Sequence, residues 1–266
     1  MKEAIMQMLR PTHVIGREVL CFASLASTNT YLKELALAGA ADGTVVIADY
    51  QTAGRGRMNR TFQSPAGKGL YLSVLLRPDL PPERFLPVTA LAGVAVCGAV
   101  EQLCGERPGL KWPNDPVLYG RKLAGILTEL VMGEDGKPAI VLGIGVNISQ
   151  KGEDFTPDVV GMATSLAMEG FDVPREALAA ALLQRLDEMY MALLANDLDV
   201  WRQRYRRDCV NLGRAVQLLH PDGRREQALA LDVDRELGLV VRLEDGQEKT
   251  VYTGEVSVRG LYGYVE

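Results

Sequence analysis

Histidine is almost missing from this 266-residue chain, which has two, and its four cysteines, Cys21, Cys97, Cys104 and Cys209, form neither a CxxC pair nor a metal-like spacing with histidine. A zinc site is thus short of ligands, and the cysteines are expected as small buried hydrophobes of a reducing, cytoplasmic compartment. Long apolar runs are lacking too. The amino end, MKEAIMQMLRPTHVIG, carries Glu3 and Arg10 and no signal-peptide core, and no later stretch reaches the ~18 to 20 uncharged apolar residues of a membrane span. Positive charge is in the minority, with a net charge of -5, which argues against nucleic acid or an anionic membrane as partner. A Walker loop, GxxxxGK[ST], is absent, as are internal repeats and low-complexity tracts.

What is present is an apolar content of 47%, enough for a sizeable core with a second small domain. Residues 17–50 read as strand, helix and strand, the helix covering the periodic TYLKELALA. LYLSVLLRP, apolar on both faces, reads as a central strand. A long buried helix opens on Pro87 and closes at Gly105. Three strand-like runs follow, Gly109 to Trp112, Pro116 to Tyr119 and Lys122 to Val131, then the apolar strand Ala139 to Ile148. Amphipathic helices are expected over 174–196 and 199–208. After Gly213 short β-rich runs alternate with the turns HPDGR, DRELG and EDGQ, the texture of a small barrel of about five strands. Two domains are therefore expected, 1–212 with a mixed α+β architecture and 213–266 as the barrel.

Four stretches carry candidate chemistry. GRGRMNRTF, residues 54–62, gathers Arg55, Arg57 and Arg60 around Gly54 and Gly56. Glycine lets backbone N–H groups approach an anion and arginine forks grip phosphate or carboxylate, although a solvated flexible loop has the same composition. In KWPNDPVLYGRKLAGILTEL, Lys111 and Lys122 sit on strands joined by a turn, so a hairpin would bring them to one end. Lys122 stands among apolar residues before Ala124 and Gly125, where a lysine is costly unless an anion meets it; a strand-edge lysine in water is the other reading. Gly143-Ile144-Gly145-Val146-Asn147 fits either a tight strand crossing or a floor for a flat ring with Asn147 as polar reader; it lacks the third glycine of a dinucleotide fingerprint. Ser27-Thr28-Asn29 before a helix is either an ordinary N-cap or a set of hydroxyls, amide and helix N–H groups around a polar uncharged group.

STN, QTAGRGRMNR, KWPNDP, RKLAGIL and GIGVN, in this order from Val19 onward, resemble the biotin protein ligases. The resemblance implies a catalytic domain similar to class II aminoacyl-tRNA synthetases, followed by a small Src-homology-type barrel. It also implies two-step chemistry: biotin and Mg-ATP give biotinyl-5′-adenylate and pyrophosphate, and a lysine of a biotin carboxyl carrier protein of an acyl-CoA carboxylase then takes the biotinyl group, releasing AMP.

By that resemblance Ser27, Thr28, Asn29, Gln51, Gly54, Arg55, Gly56, Arg57, Lys122 and Gly125 would bind biotin. Arg55, Arg57, Arg60, Phe62, Lys111, Asn114, Gly143, Gly145 and Asn147 would face ATP or the adenylate. Lys122, Arg57 and Lys111 would carry the catalysis, with magnesium riding on ATP and no protein ligand assigned to it. The arginine-rich loop is expected to act as a lid closing on the adenylate. Two positions depart from the family pattern: Asn59 replaces a glycine and Phe62 a tryptophan, which touches the dynamics of the loop more than the reaction. The sixteen residues before Arg17 are too few for the winged helix-turn-helix of ~60 or more residues that bifunctional members carry, so a ligase without repressor activity is expected, as a monomer or homodimer.

Overall fold

The computed structural model describes residues 1–57, 60–133, 136–252, 256–260 and 264–265. The chain opens with α1 (Lys2–Met8) and runs through β1 (Val19–Leu25), α2 (Thr28–Leu37), β2 (Val45–Gln51) and β3 (Gly69–Leu76) to the long α3 (Val88–Cys104). Three short strands follow, β4 (Gly109–Lys111), β5 (Asp115–Leu118) and β6 (Arg121–Lys122), then β7 (Ala124–Met132) and β8 (Pro138–Asn147). Helices α4 (Arg175–Leu194) and α5 (Asp199–Asp208) lead to β9 (Ala215–Leu219), β10 (Arg225–Val233), β11 (Leu239–Leu243), β12 (Glu248–Val251) and β13 (Ser257–Gly260).

The central sheet has the order β1-β2-β3-β8-β7; β1 and β2 are parallel, with α2 as their crossover, and the remaining pairs are antiparallel. Alternation of side chains along its strands sorts residues into two layers. Val45, Ile47, Leu72, Val74, Ile140 and Leu142 join the large core under α3 and α4, whereas Val46, Leu75, Ala139 and Val141 meet Leu32 and Ala36 of α2 on the other face. With helices on both faces, β3 is buried at all eight positions, which explains its unbroken apolar run.

Helix α3 is apolar all round because it lies between the sheet and α4. By length and composition the segment Pro82–Cys104 could cross a membrane, with a mean hydropathy of 1.5 over an 18-residue stretch; its uncharged run between Arg84 and Glu101 is shorter than a span, and 72% of the stretch is buried inside the protein, so packing accounts for its character. It ends as its sequence implies, with Gly105 at φ 73°.

The expected strand Lys122 to Val131 is two strands. β6 pairs with β5 in the three-stranded sheet β4-β5-β6, and β7 pairs with β8 in the central sheet, the chain crossing between them at Leu123. The carboxyl-terminal strands form an antiparallel five-stranded sheet, β12-β11-β10-β9-β13. It is tied to the rest through Trp112, whose indole N–H donates to Leu237 O at 2.9 Å while its backbone N–H donates to Asn211 Oδ1 at 2.7 Å.

The segment before β1 is held by one buried carboxylate. Asp187 of α4 accepts backbone N–H bonds from His13, Val14 and Ile15 at 2.8, 2.8 and 2.9 Å. Burial alone would raise its pKa, but these donors outweigh it and hold it below the ordinary carboxylate value. Such a group stabilises the fold above the carboxyl pKa of the unfolded chain, about 3.9, and loses that contribution as pH falls through the lower folded value. Asp187→Asn, which turns one acceptor into a donor facing N–H groups, is expected to cost about 2 kcal/mol at pH 7 in urea unfolding and to flatten the acid-induced loss of stability.

Candidate functional site

A cavity of about 680 Å³ opens where the amino end of α2, the arginine-rich loop, the β4–β6 sheet, the start of β7 and the end of β8 converge. Every site residue expected from the sequence lines it except Gly54. A Cβ there would collide with Phe62 O and sit 2.7 Å from Ser64 Oγ, so the missing side chain of Gly54 lets two chain segments cross. Asn59 lies outside the described residues.

One end of the cavity is polar and uncharged. Ser27 is the N-cap of α2 but makes no side-chain cap bond; Gln51 supplies the acceptor, its Oε1 taking the Thr28 N–H at 2.9 Å while its Nε2 donates to Ser64 Oγ at 2.8 Å. Ser73 Oγ on β3 lies 2.7 Å from Thr28 Oγ1 and 2.6 Å from Asn29 Oδ1, and Asn29 Nδ2 donates to Glu129 Oε2 at 2.9 Å. Ser27, Thr28 and Asn29 are all buried. Burial pushes the Glu129 pKa up, but bonds from Lys33 and Asn29, with Arg55 nearby, bring it below the ordinary value. Arg55 Nη1 stands 3.2 Å from Glu129, tying the loop to β7.

The glycine strand is filled from within the chain. A Cβ on Gly143 would collide with Asn29 Oδ1, and one on Gly145 with the Phe62 ring, which also lies 3.2 Å from a Cβ placed on Gly125. These glycines therefore let Asn29 and Phe62 approach the sheet, so the flat ring against Gly145 is the protein's own. Asn147 donates to Thr164 O at 2.9 Å and accepts from Gln150 at 3.1 Å, fixing the segment after β8.

The other end is cationic. Arg57 Nη1 donates to Asn114 Oδ1 at 3.0 Å, and Asn114 Nδ2 to Ile126 O at 2.6 Å. The hairpin does bring Lys111 and Lys122 together, and Asp115 at its turn sits between them: Lys122 Nζ is 2.7 Å from Asp115 Oδ1, and Tyr264 donates its hydroxyl to Asp115 Oδ2. Burial would raise the Asp115 pKa, but the two lysines and the Tyr264 hydroxyl outweigh it and keep the carboxylate charged. Burial pulls Lys111 down to about 8, Asp115 opposing and Arg259, Lys122 and Arg57 adding to the fall. Burial also lowers the Arg57 pKa, against Asp115. Four cations at this end, Lys111, Lys122, Arg57 and Arg259, around the one Asp115 carboxylate leave an excess of positive charge for an anion to meet.

Asp115, Glu129, Ser73, Arg259 and Tyr264 were not singled out from the sequence, nor was the wall formed by Phe155, Val159 and Met162. The lone acids inside KWPNDP and LTELV were the available signals for Asp115 and Glu129; Tyr264, 149 positions from its partner, had none. Among the described residues no group of three or more His, Cys, Asp or Glu is placed to enclose a metal. The acidic residues on the cavity wall, the engaged Asp115 and the exposed Asp158, fit a magnesium ion held chiefly by nucleotide phosphates and water. Because Asp115 favours the charged form of Lys111, Asp115→Asn is expected to move the Lys111 titration below about 8, read from the lysine side-chain resonances by NMR; an upward shift would contradict the geometry.

A profile of the Biotin/lipoate A/B protein ligase family matches residues 21–147. The chain is similar to the bifunctional ligase/repressor BirA of Bacillus subtilis, 32% identical over 248 residues that cover 93% of this chain and 76% of the relative. It is also similar to the biotin–[acetyl-CoA-carboxylase] ligase of Mycobacterium tuberculosis, 35% identical over 253 residues covering 90% and 88%. Among solved structures, biotin protein ligase from Aquifex aeolicus in complex with biotin and ATP superposes with a TM-score of 0.79 at 28% identity, covering 92% of this chain and 99% of that one. With the polar pocket, the cationic end and the glycine floor joined in one cavity, these likenesses leave one conclusion: the chain belongs to the biotin protein ligase family.

Proposed function

We propose that the chain is an ATP-dependent biotin ligase that forms biotinyl-5′-adenylate and passes the biotinyl group to a lysine of a biotin carboxyl carrier protein. The observation that carries this reading is the junction, in one cavity, of an uncharged hydrogen-bonding pocket with a cluster of cations. Ser27, Thr28, Asn29 and Gln51 offer donors and acceptors suited to a ureido ring, with Ser73 behind them holding Thr28 and Asn29, and Phe62 supplies an apolar wall beside it. Lys122, Lys111 and Arg57 stand where the acid's carboxylate would meet the α-phosphate.

In the first step a carboxylate oxygen of biotin bonds to the α-phosphorus, the bond to the β-phosphate breaks and pyrophosphate leaves. Negative charge gathers on the α-phosphoryl oxygens, and Lys122 and Arg57 stabilise it there without reorganising. Magnesium, when bound with ATP, supplies charge neutralisation at the phosphates. In the second step the neutral amine of the carrier lysine bonds to the acyl carbon, the bond to the phosphate breaks, AMP leaves and the amine gives up a proton. The ATP side of the cavity includes Arg55, Arg60, Asn114, Gly145 and Asn147 in this reading, Gly143 lying instead against Asn29 of the polar pocket, and the arginine loop closes as a lid.

The same reading divides the chain into a catalytic domain, 1–212, resembling class II aminoacyl-tRNA synthetases, and a Src-homology-type barrel, 213–266, with Arg259 and Tyr264 of the latter reaching the cavity. The reaction belongs to the cytoplasm, the chain acting as a monomer or homodimer on a carboxylase carrier, with neither nucleic acid nor membrane as partner.

Incubation with biotin, ATP and an apo carrier domain is expected to give an avidin-reactive product and pyrophosphate; absence of both sinks the reading. Lipoate in place of biotin is expected to react poorly. Lys122→Ala should slow adenylate formation roughly 10²- to 10³-fold while biotin binding persists; equal loss of both would indicate a binding protein. Gly143→Ala, which displaces Asn29, should raise the KM for biotin about tenfold and leave that for ATP nearly unchanged.

A further inference from the structure

We propose that Tyr264, close to the carboxyl end, is a positioning residue for adenylate formation: its hydroxyl fixes the carboxylate that holds Lys122, and its ring seats the Lys111 ammonium. The proposal rests on the ligase reading of the cavity. Asp115 has two oxygens and a separate partner for each. Oδ1 takes the Lys122 ammonium at 2.7 Å and Oδ2 takes the Tyr264 hydroxyl. The terminal torsion of an aspartate is a soft, broad rotor, so a carboxylate held at one oxygen swings, and its lysine with it; held at both, it is fixed. The group is largely shielded, its side chain being 13% exposed, so water is a poor substitute for the missing donor.

The tyrosine ring does a second job. Lys111 Nζ lies 4.6 Å from its centroid and the Arg259 guanidinium 5.2 Å, both within the ~6 Å reach of a cation–π contact. Two like charges and the Lys122 ammonium are thereby gathered around one ring and one carboxylate. A phenylalanine would serve only the ring contacts. A phenol also donates to Asp115, and burial beside that carboxylate keeps it protonated. The carboxyl-terminal residues beyond β13 thus reach the cationic end of the cavity through a group that orients two others. Displacement of a cation by about 1 Å at such a site costs about 10²-fold in rate.

The test compares wild type, Tyr264→Phe and Tyr264→Leu in single-turnover pyrophosphate release with biotin and ATP. Transfer from supplied biotinyl-5′-adenylate to an apo carrier domain and the melting temperature are measured alongside. Tyr264→Phe is expected to form adenylate about tenfold more slowly, with the KM for biotin, the transfer rate and the melting temperature unchanged. Tyr264→Leu, which also loses the ring, is expected to be slower again and to raise the KM for ATP. Wild-type adenylation by Tyr264→Phe overturns the proposal, as does a parallel loss of adenylation, transfer and melting temperature in that variant. Absence of pyrophosphate from the wild type would instead overturn the ligase reading itself. Should Tyr264→Leu fail to fold, Tyr264→Phe decides alone.

Discussion

The Asp115 carboxylate is the constraint on which the cationic end of the cavity depends. Lys111 and Lys122 would repel each other and lose their hydration in a largely buried site; one shared negative charge makes their proximity tolerable. The compensation is incomplete, since Arg57 and Arg259 also face the space. That imbalance suits a site whose ligand brings several negative charges of its own. A fully neutralised cluster would hold the apo fold more firmly and bind phosphate less well, so the residual strain belongs to function.

At the other end the logic is one of space. Gly143, Gly145 and Gly125 lie on adjoining strands, and their missing side chains admit Asn29 and Phe62 to the sheet surface. The helix α2 can then present its first turn to the cavity, with Gln51 from the neighbouring strand accepting the N–H of Thr28. The polar pocket is therefore built from backbone register and a helix terminus, both rigid, and not from long side chains that would have to be ordered on binding.

Much of this was legible in the sequence because the chemistry sits in short contiguous runs. The GRGR loop, the two lysines of the hairpin and the STN turn all line one cavity, and the ends of α3, marked by Pro87 and Gly105, fell where proline and glycine place them. What escaped was whatever depends on long-range pairing. Gly143 and Gly145 suggested room for a ligand ring, but a sequence pattern cannot say whether the ring comes from outside or from Phe62. The run after Lys122 looked like one strand because apolar alternation does not reveal a change of partner. Asp115 lies inside the KWPNDP motif, yet nothing local marks it, since its importance lies in its partners Lys111, Lys122 and Tyr264, the last 149 positions away.

The crossing at Leu123 has one more implication. Lys122 belongs to the small hairpin sheet and Gly125 to the central sheet, yet only two residues separate them, Leu123 buried and Ala124 buried. The offset between the backbone of Lys122 and the cavity floor at Gly125 is thus set by covalent geometry across a few bonds, while the two sheets are each anchored by many interactions. Mutations that loosen distant packing should deplete the folded population well before they misalign these two points. For a chain under mutational drift, that makes the spacing of the site more robust than the stability of the protein that carries it.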